Sequence, residues 1–219
     1  MSALGSILKL KKDFLSLSDI LKSRGIMYGD KQGRHLISSG SLSEIELEYA
    51  VDKNFIVLPG PDRPMNLVNV YNNRPQPFYK KFFNPEDSGY FSTFNKDGSK
   101  FALEDVIQPG WYMLSKDMLE GSTSKTWSEQ LQLLADDSYI PPEKYIPNAA
   151  ELAWCLTTYA LARGTRLLYN SYVRTLSQNG DGNRILMGRF DKFGLRVTDY
   201  KKDNSVNIAG IVPIIRIIK

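Results

Sequence analysis

The firmest pattern of apolar and polar positions lies between residues 146 and 164. Pro147 suits a first helical turn, where its missing N–H has no partner to lose. From Ala149 the run Glu151, Leu152, Trp154, Cys155, Leu156, Tyr159 and Leu161 predicts a helix, and Gly164 supplies a left-handed stop. Short β-type runs follow, split by the turns Asn179-Gly180-Asp181-Gly182, Asp191-Lys192-Phe193-Gly194 and 201–204. The chain closes on Ile211–Ile218, apolar on both faces, which predicts a buried strand that is central or firmly paired. Pro213 has no N–H, so a gap in the ladder is expected there.

Upstream, Ile7, Leu10, Phe14, Leu17 and Leu21 recur three and four residues apart, as on one helix face. The segment 1–24 is therefore expected as an amphipathic arm, capped near Ser16 or Ser18 and ended by Gly25. The stripe fits packing on the chain's own domain or docking to a partner; docking is favoured, because Lys9, Lys11, Lys12 and Lys22 would keep a free arm soluble. Ile26–Tyr28 and His35–Ile37 flank a Gly-containing hairpin signal. Ile45, Leu47 and Tyr49 alternate with Glu44, Glu46 and Glu48, which predicts a strand with one wet face. Further strands are expected at Phe55–Leu58, Leu67–Tyr71 and Gly110–Leu114, a hairpin over 91–103, and a helix over 126–135 with Trp127, Leu131 and Leu134 on one face.

Residues 72–92 carry Phe78, Tyr79, Phe82 and Phe83 among prolines and asparagines. That is too aromatic for a disordered linker, so an ordered loop is expected, its rings covered by the domain itself or by a partner protein.

The order helix, Ser/Thr-bearing strand, glycine turn and terminal strand resembles C-type-lectin-like domains, of the kind that end bacterial surface proteins and tailed-phage virion proteins. The pieces that carry the likeness are Ile146–Leu152, Ser171–Leu176, Ile185–Phe190, Leu195–Tyr200 and Ile211–Ile217, about the last third of the chain. The paired cysteines of that family are absent, and Tyr169 and Tyr172 stand where it carries a tryptophan. The resemblance implies an α+β fold, mainly antiparallel sheet with two helices, over 25–219, with the helical arm added and a possible sub-boundary near 108.

Composition narrows the function. The net charge of +4 is spread without blocks, which favours a solvated surface over nucleic-acid contact. No run is long and apolar enough for a membrane span, and Lys9–Asp13 interrupt any signal-peptide core. A single cysteine allows no intrachain disulfide, which suits a protein made in a reducing cytoplasm.

Candidate chemistry is thin. His35 is the only histidine, no Gly-x-Ser-x-Gly elbow or phosphate-binding glycine loop exists, and Cys155 falls inside the best helix. Asp136-Asp137 and the 179–183 turn could offer oxygens to calcium, but the lectin sugar-binding triplets are missing. No cofactor and no metal are expected. The sequence therefore predicts a non-enzymatic virion structural or binding protein of a tailed bacteriophage, a fibre, head decoration or tail component. It would be made in the host cytoplasm, and further virion proteins or copies of itself would dock through the arm, with a host-surface ligand as a further partner. A bacterial surface adhesin of the same fold is the alternative.

Overall fold

Local capping decides where the helices begin. In the computed structural model, which describes residues 3–29, 31, 42–79, 100–136, 144–200 and 209–217, seven α-helices and three sheets are seen. In chain order they are α1 (Ala3–Leu10), a 3-10 turn (Lys11–Asp13), α2 (Leu17–Arg24), α3 (Glu44–Asp52), β1 (Phe55–Pro59), β2 (Met65–Asn66), α4 (Leu67–Asn73), α5 (Lys100–Glu104), β3 (Val106–Ile107), β4 (Trp111–Ser115), α6 (Trp127–Asp136), α7 (Ala149–Arg163), β5 (Tyr172–Gln178), β6 (Arg184–Asp191), β7 (Gly194–Tyr200), β8 (Ala209–Gly210) and β9 (Ile214–Ile217). The fold is mixed α/β, its ladders antiparallel except for the short β5–β8 pair.

The helix expected after Pro147 is α7. Asn148 accepts from the Glu151 N–H, Glu151 accepts from the Asn148 N–H, and Gly164 closes the helix at φ 68°. Residues 149–159 are all buried, because the helix lies between two sheets rather than on a surface.

On one side of α7 stands the sheet β1-β4-β9. Its near face carries Ile56, Leu58, Tyr112, Leu114 and Ile214. Its far face carries Phe55, Val57, Trp111, Met113, Ile215 and Ile217, covered by Leu10 of α1 and by Leu47 and Ala50 of α3. On the other side stands β7-β6-β5-β8, contributing Val173, Ile185, Met187, Leu195 and Val197. Because β1 and β9 both pair with β4, residues on either side of position 108 share one sheet.

β9 is firmly paired, as expected, but at the end of its ladder. Beyond it, among the described residues, only Tyr145 bridges, exchanging N–H···O bonds of 3.0 and 2.9 Å with Ile214. Pro213 contributes its carbonyl alone, accepting from the Ser115 N–H at 3.1 Å.

Four predicted strand regions are instead helical or irregular. Residues 45–49 lie in α3, started by a Ser43–Glu46 capping box. Ile45 is 68% exposed while Leu47 is buried, so they do not share the face that a strand would give them. Residues 67–71 form α4, begun by Asn66 accepting from the Asn69 N–H, with Leu67 and Val70 inward. Lys100–Leu103, expected as a strand, begin α5, and Ile26–Tyr28 form no strand. His35 and residues 91–99 lie outside the described residues. The expected helix over 126–135 is α6, but it buries Gln130 rather than Leu131; the Gln130 amide donates to Ser122 and Ala209 carbonyls at 2.6 and 3.1 Å.

The N-terminal segment also departs from a single helical face. The 3-10 turn breaks it, and Phe14 is extended and bridges Val57. Of the predicted stripe Leu10 is buried, Ile7, Phe14 and Leu17 are half-buried, and Leu21 is exposed. Leu15 and Ile20 point inward instead, at 0% exposure. Arg163 of α7 clamps the segment: it donates to the Lys12 and Phe14 carbonyls and forms a bidentate pair with Asp19 at 2.9 and 3.1 Å. This residue range is thus built into the domain rather than extended from it.

Candidate functional site

The aromatic loop begins as part of the fold. Phe78 is 1% exposed, meets Tyr71 edge-on at 5.4 Å and packs in the main core. Its backbone runs beside β7: the Tyr79 N–H donates to the Leu195 carbonyl and the Leu195 N–H to the Pro77 carbonyl. Gly194 makes this approach possible, since at φ 118° an added Cβ would stand 2.4 Å from the Phe78 carbonyl carbon. Phe78 is therefore a core anchor and not the partner contact expected from the sequence. Tyr79 is half-buried beneath Arg196, whose guanidinium lies 5.0 Å from the ring centre and pairs with Asp191 at 3.0 Å. Phe82 and Phe83 lie outside the described residues.

The turn over 179–183 is a tight connection. The Asn179 side-chain oxygen accepts from the Asp181 and Asn183 N–H groups, and Gly182 stands at φ 76°. Among the described residues no group of three or more His, Cys, Asp or Glu is placed to hold a metal ion.

Two buried polar centres flank α7. The first surrounds Glu151. Its carboxylate accepts from the Tyr145 hydroxyl at 2.7 Å and from the Asn148 N–H at 2.9 Å. Burial nonetheless raises its pKa above the ordinary carboxylate range, with Asp105 adding to the rise and Arg216 opposing it. Burial, and next the Glu151 charge, push the Tyr112 and Tyr145 phenols far up, so both remain protonated donors. Tyr112 donates to the Gln108 carbonyl at 2.8 Å, while the Ala149 N–H donates to Ser177, which donates to Asp105. The seam ties the start of α7 to β5 and to the bridge at Tyr145. Cys155, one turn on, is fully buried, and burial drives its thiol well above the usual range. A protonated thiol without solvent access cannot serve as a nucleophile.

The second centre is Arg24, at the end of α2 and 1% exposed. Its Nε donates to Thr158 at 3.0 Å, one terminal nitrogen donates to Thr157, and its plane stacks 4.7 Å from the centre of the Trp154 ring. No carboxylate faces it among the described residues. Burial and then Arg74 bring its pKa down to about 9. Arg74 donates through Nε to the Ser23 carbonyl at 3.1 Å. The sequence carried one faint sign of this site: Arg24 follows the buried Ile20 by four residues and so continues its helix face.

On the outer surface, α1 and α3 pack against each other over the far side of the sheet. They carry Leu8 and Ile45 outward, 66% and 68% exposed. Among the described residues no helix is long and apolar enough to cross a membrane.

Compared with models of protein families, with curated proteins and with solved structures, the chain matches none.

Proposed function

We propose that the chain is a non-enzymatic scaffold that works by binding, a structural or binding component of a tailed-phage virion on a C-type-lectin-like domain. The lectin-like reading draws support from the chain order after Pro147: a capped helix, two antiparallel hairpin connections and a paired strand near the C-terminus. The non-enzymatic reading draws support from Cys155, whose thiol is held in the core.

The observation that carries the binding role is the outer face of α1 and α3. Two large apolar side chains, Leu8 and Ile45, face outward on neighbouring helices that the core already holds in place. A rigid surface of this kind loses little conformational entropy on docking. Further copies of the chain, or other virion proteins, are the partners proposed for it. This re-sites the docking role from a free arm to a built surface. The test is localisation: an antibody raised against the purified chain should decorate phage particles at regular positions. Decoration of the bacterial envelope in particle-free cultures would refute the virion reading and favour the adhesin.

A further inference from the structure

We propose that Arg24 and Arg74 form a binding site for a phosphate-class oxyanion, free or carried as a phosphomonoester on a larger molecule. Desolvating an arginine is costly unless an anion or a full set of acceptors replaces water. Arg24 has neither. Two of its nitrogens, Nε and one terminal nitrogen, are taken by the threonine hydroxyls of α7, and the Trp154 ring lies against the guanidinium. The third nitrogen, Nη1, is buried and has no hydrogen-bond partner among the described residues.

A second guanidinium reaches the same helix end. Arg74 donates to the Ser23 carbonyl, and one of its terminal nitrogens lies 3.3 Å from where a Cβ on Gly25 would stand. Arg74 thus reaches the helix end from which Arg24 departs, near enough for its charge to help depress the Arg24 pKa. The negative end of the α2 dipole amounts to roughly half a charge, too little to balance two guanidinium groups. Planar guanidinium donors match the geometry of phosphoryl oxygens.

Asn73 narrows the class of anion. Its Nδ2 donates to the Arg24 carbonyl at 3.3 Å, while its Oδ1 is buried and idle. An acceptor at such a site suits an oxyanion that can carry a proton, as hydrogen phosphate does near neutral pH and a phosphomonoester does in its monoanion, and sulfate does not. The proposal is independent of the assembly surface on α1 and α3, so either can fail alone.

The experiment is isothermal titration of the full chain at neutral pH with inorganic phosphate, glycerol 3-phosphate and sulfate, against chloride at matched ionic strength. Saturable heat is expected from phosphate or its monoester, with sulfate at least about tenfold weaker. Tighter binding of the monoester would assign a phosphoryl group on a larger molecule, and tighter binding of phosphate the free ion. Arg74→Gln, at a half-buried position, should weaken binding by about tenfold or more. Arg74→Lys, which keeps the charge, should recover part of that loss. No heat beyond chloride up to about 10 mM phosphate, equal heat from sulfate, or unchanged affinity in Arg74→Gln would overturn the proposal and leave Arg24 a structural cation only.

Discussion

Ile20→Ala tests whether the N-terminal segment belongs to the folded core. Ile20 has 0% exposure and sits in the main cluster, on a helix packed against α7 and held by the Arg163–Asp19 pair. Its truncation removes three buried carbons and leaves a cavity that rigid neighbours cannot fill, a loss of about 2–5 kcal/mol. A domain of this size is stable by roughly 5–15 kcal/mol, so the change is large enough to measure. Leu21 is the matched control: it belongs to the stripe that the sequence suggests, yet it is 44% exposed. Leu21→Ala should stay within about 0.5 kcal/mol. Urea unfolding followed by tryptophan fluorescence should show a lower midpoint for Ile20→Ala at an unchanged slope. If Ile20→Ala were neutral, or Leu21→Ala cost as much, the packing of α2 described above would be wrong.

Three further outcomes follow from buried groups and backbone geometry. The Glu151 carboxyl has a raised pKa in the fold, so its contribution is full below the ordinary carboxylate range and is lost as pH rises through the raised value. Glu151→Gln should therefore flatten the fall in melting temperature as pH rises from the ordinary carboxylate range through the raised value, and an unchanged slope would contradict this. Gly194→Ala places a methyl against the Phe78 backbone at φ 118° and should cost about 1–3 kcal/mol or more. Gly164→Ala, with nothing within 4 Å of the new methyl, should cost only about 1 kcal/mol, so equal losses on urea unfolding would refute the close approach. The Cys155 thiol should resist maleimide in the native protein and label fully in denaturant, and rapid native labelling would show the site to be open.

What could be read from the sequence was what local chemistry specifies. Asn148, Glu151 and Gly164 bracket α7 through contacts only three or four residues long, and the glycine turns divide β5, β6 and β7. Residues 45–49 and 67–71 misled because five residues are too few to fix a period; the caps at Ser43 and Asn66 were the deciding signal. The stripe from Ile7 to Leu21 failed for another reason. The backbone leaves the helix at Lys11, where φ is 47°, so spacing no longer maps onto one face. Arg24 was hidden because its threonine partners lie 133 and 134 residues away. Phe78 was legible as a ring needing cover, but its backbone bridge to Leu195 of β7 joins segments far apart in the chain.

The central claim, that the outer face of α1 and α3 is an assembly surface, is tested most directly by sedimentation velocity over a range of concentrations. The full chain should associate, and Leu8→Asp combined with Ile45→Asp should sediment as a monomer with its melting temperature within a few degrees of the parent, roughly the effect of surface substitutions. If partners other than its own copies are required, the parent should associate only when particle proteins are added, and the double variant should not. A parent that remains monomeric both alone and with particle proteins, or a double variant that associates as the parent does, would contradict the account.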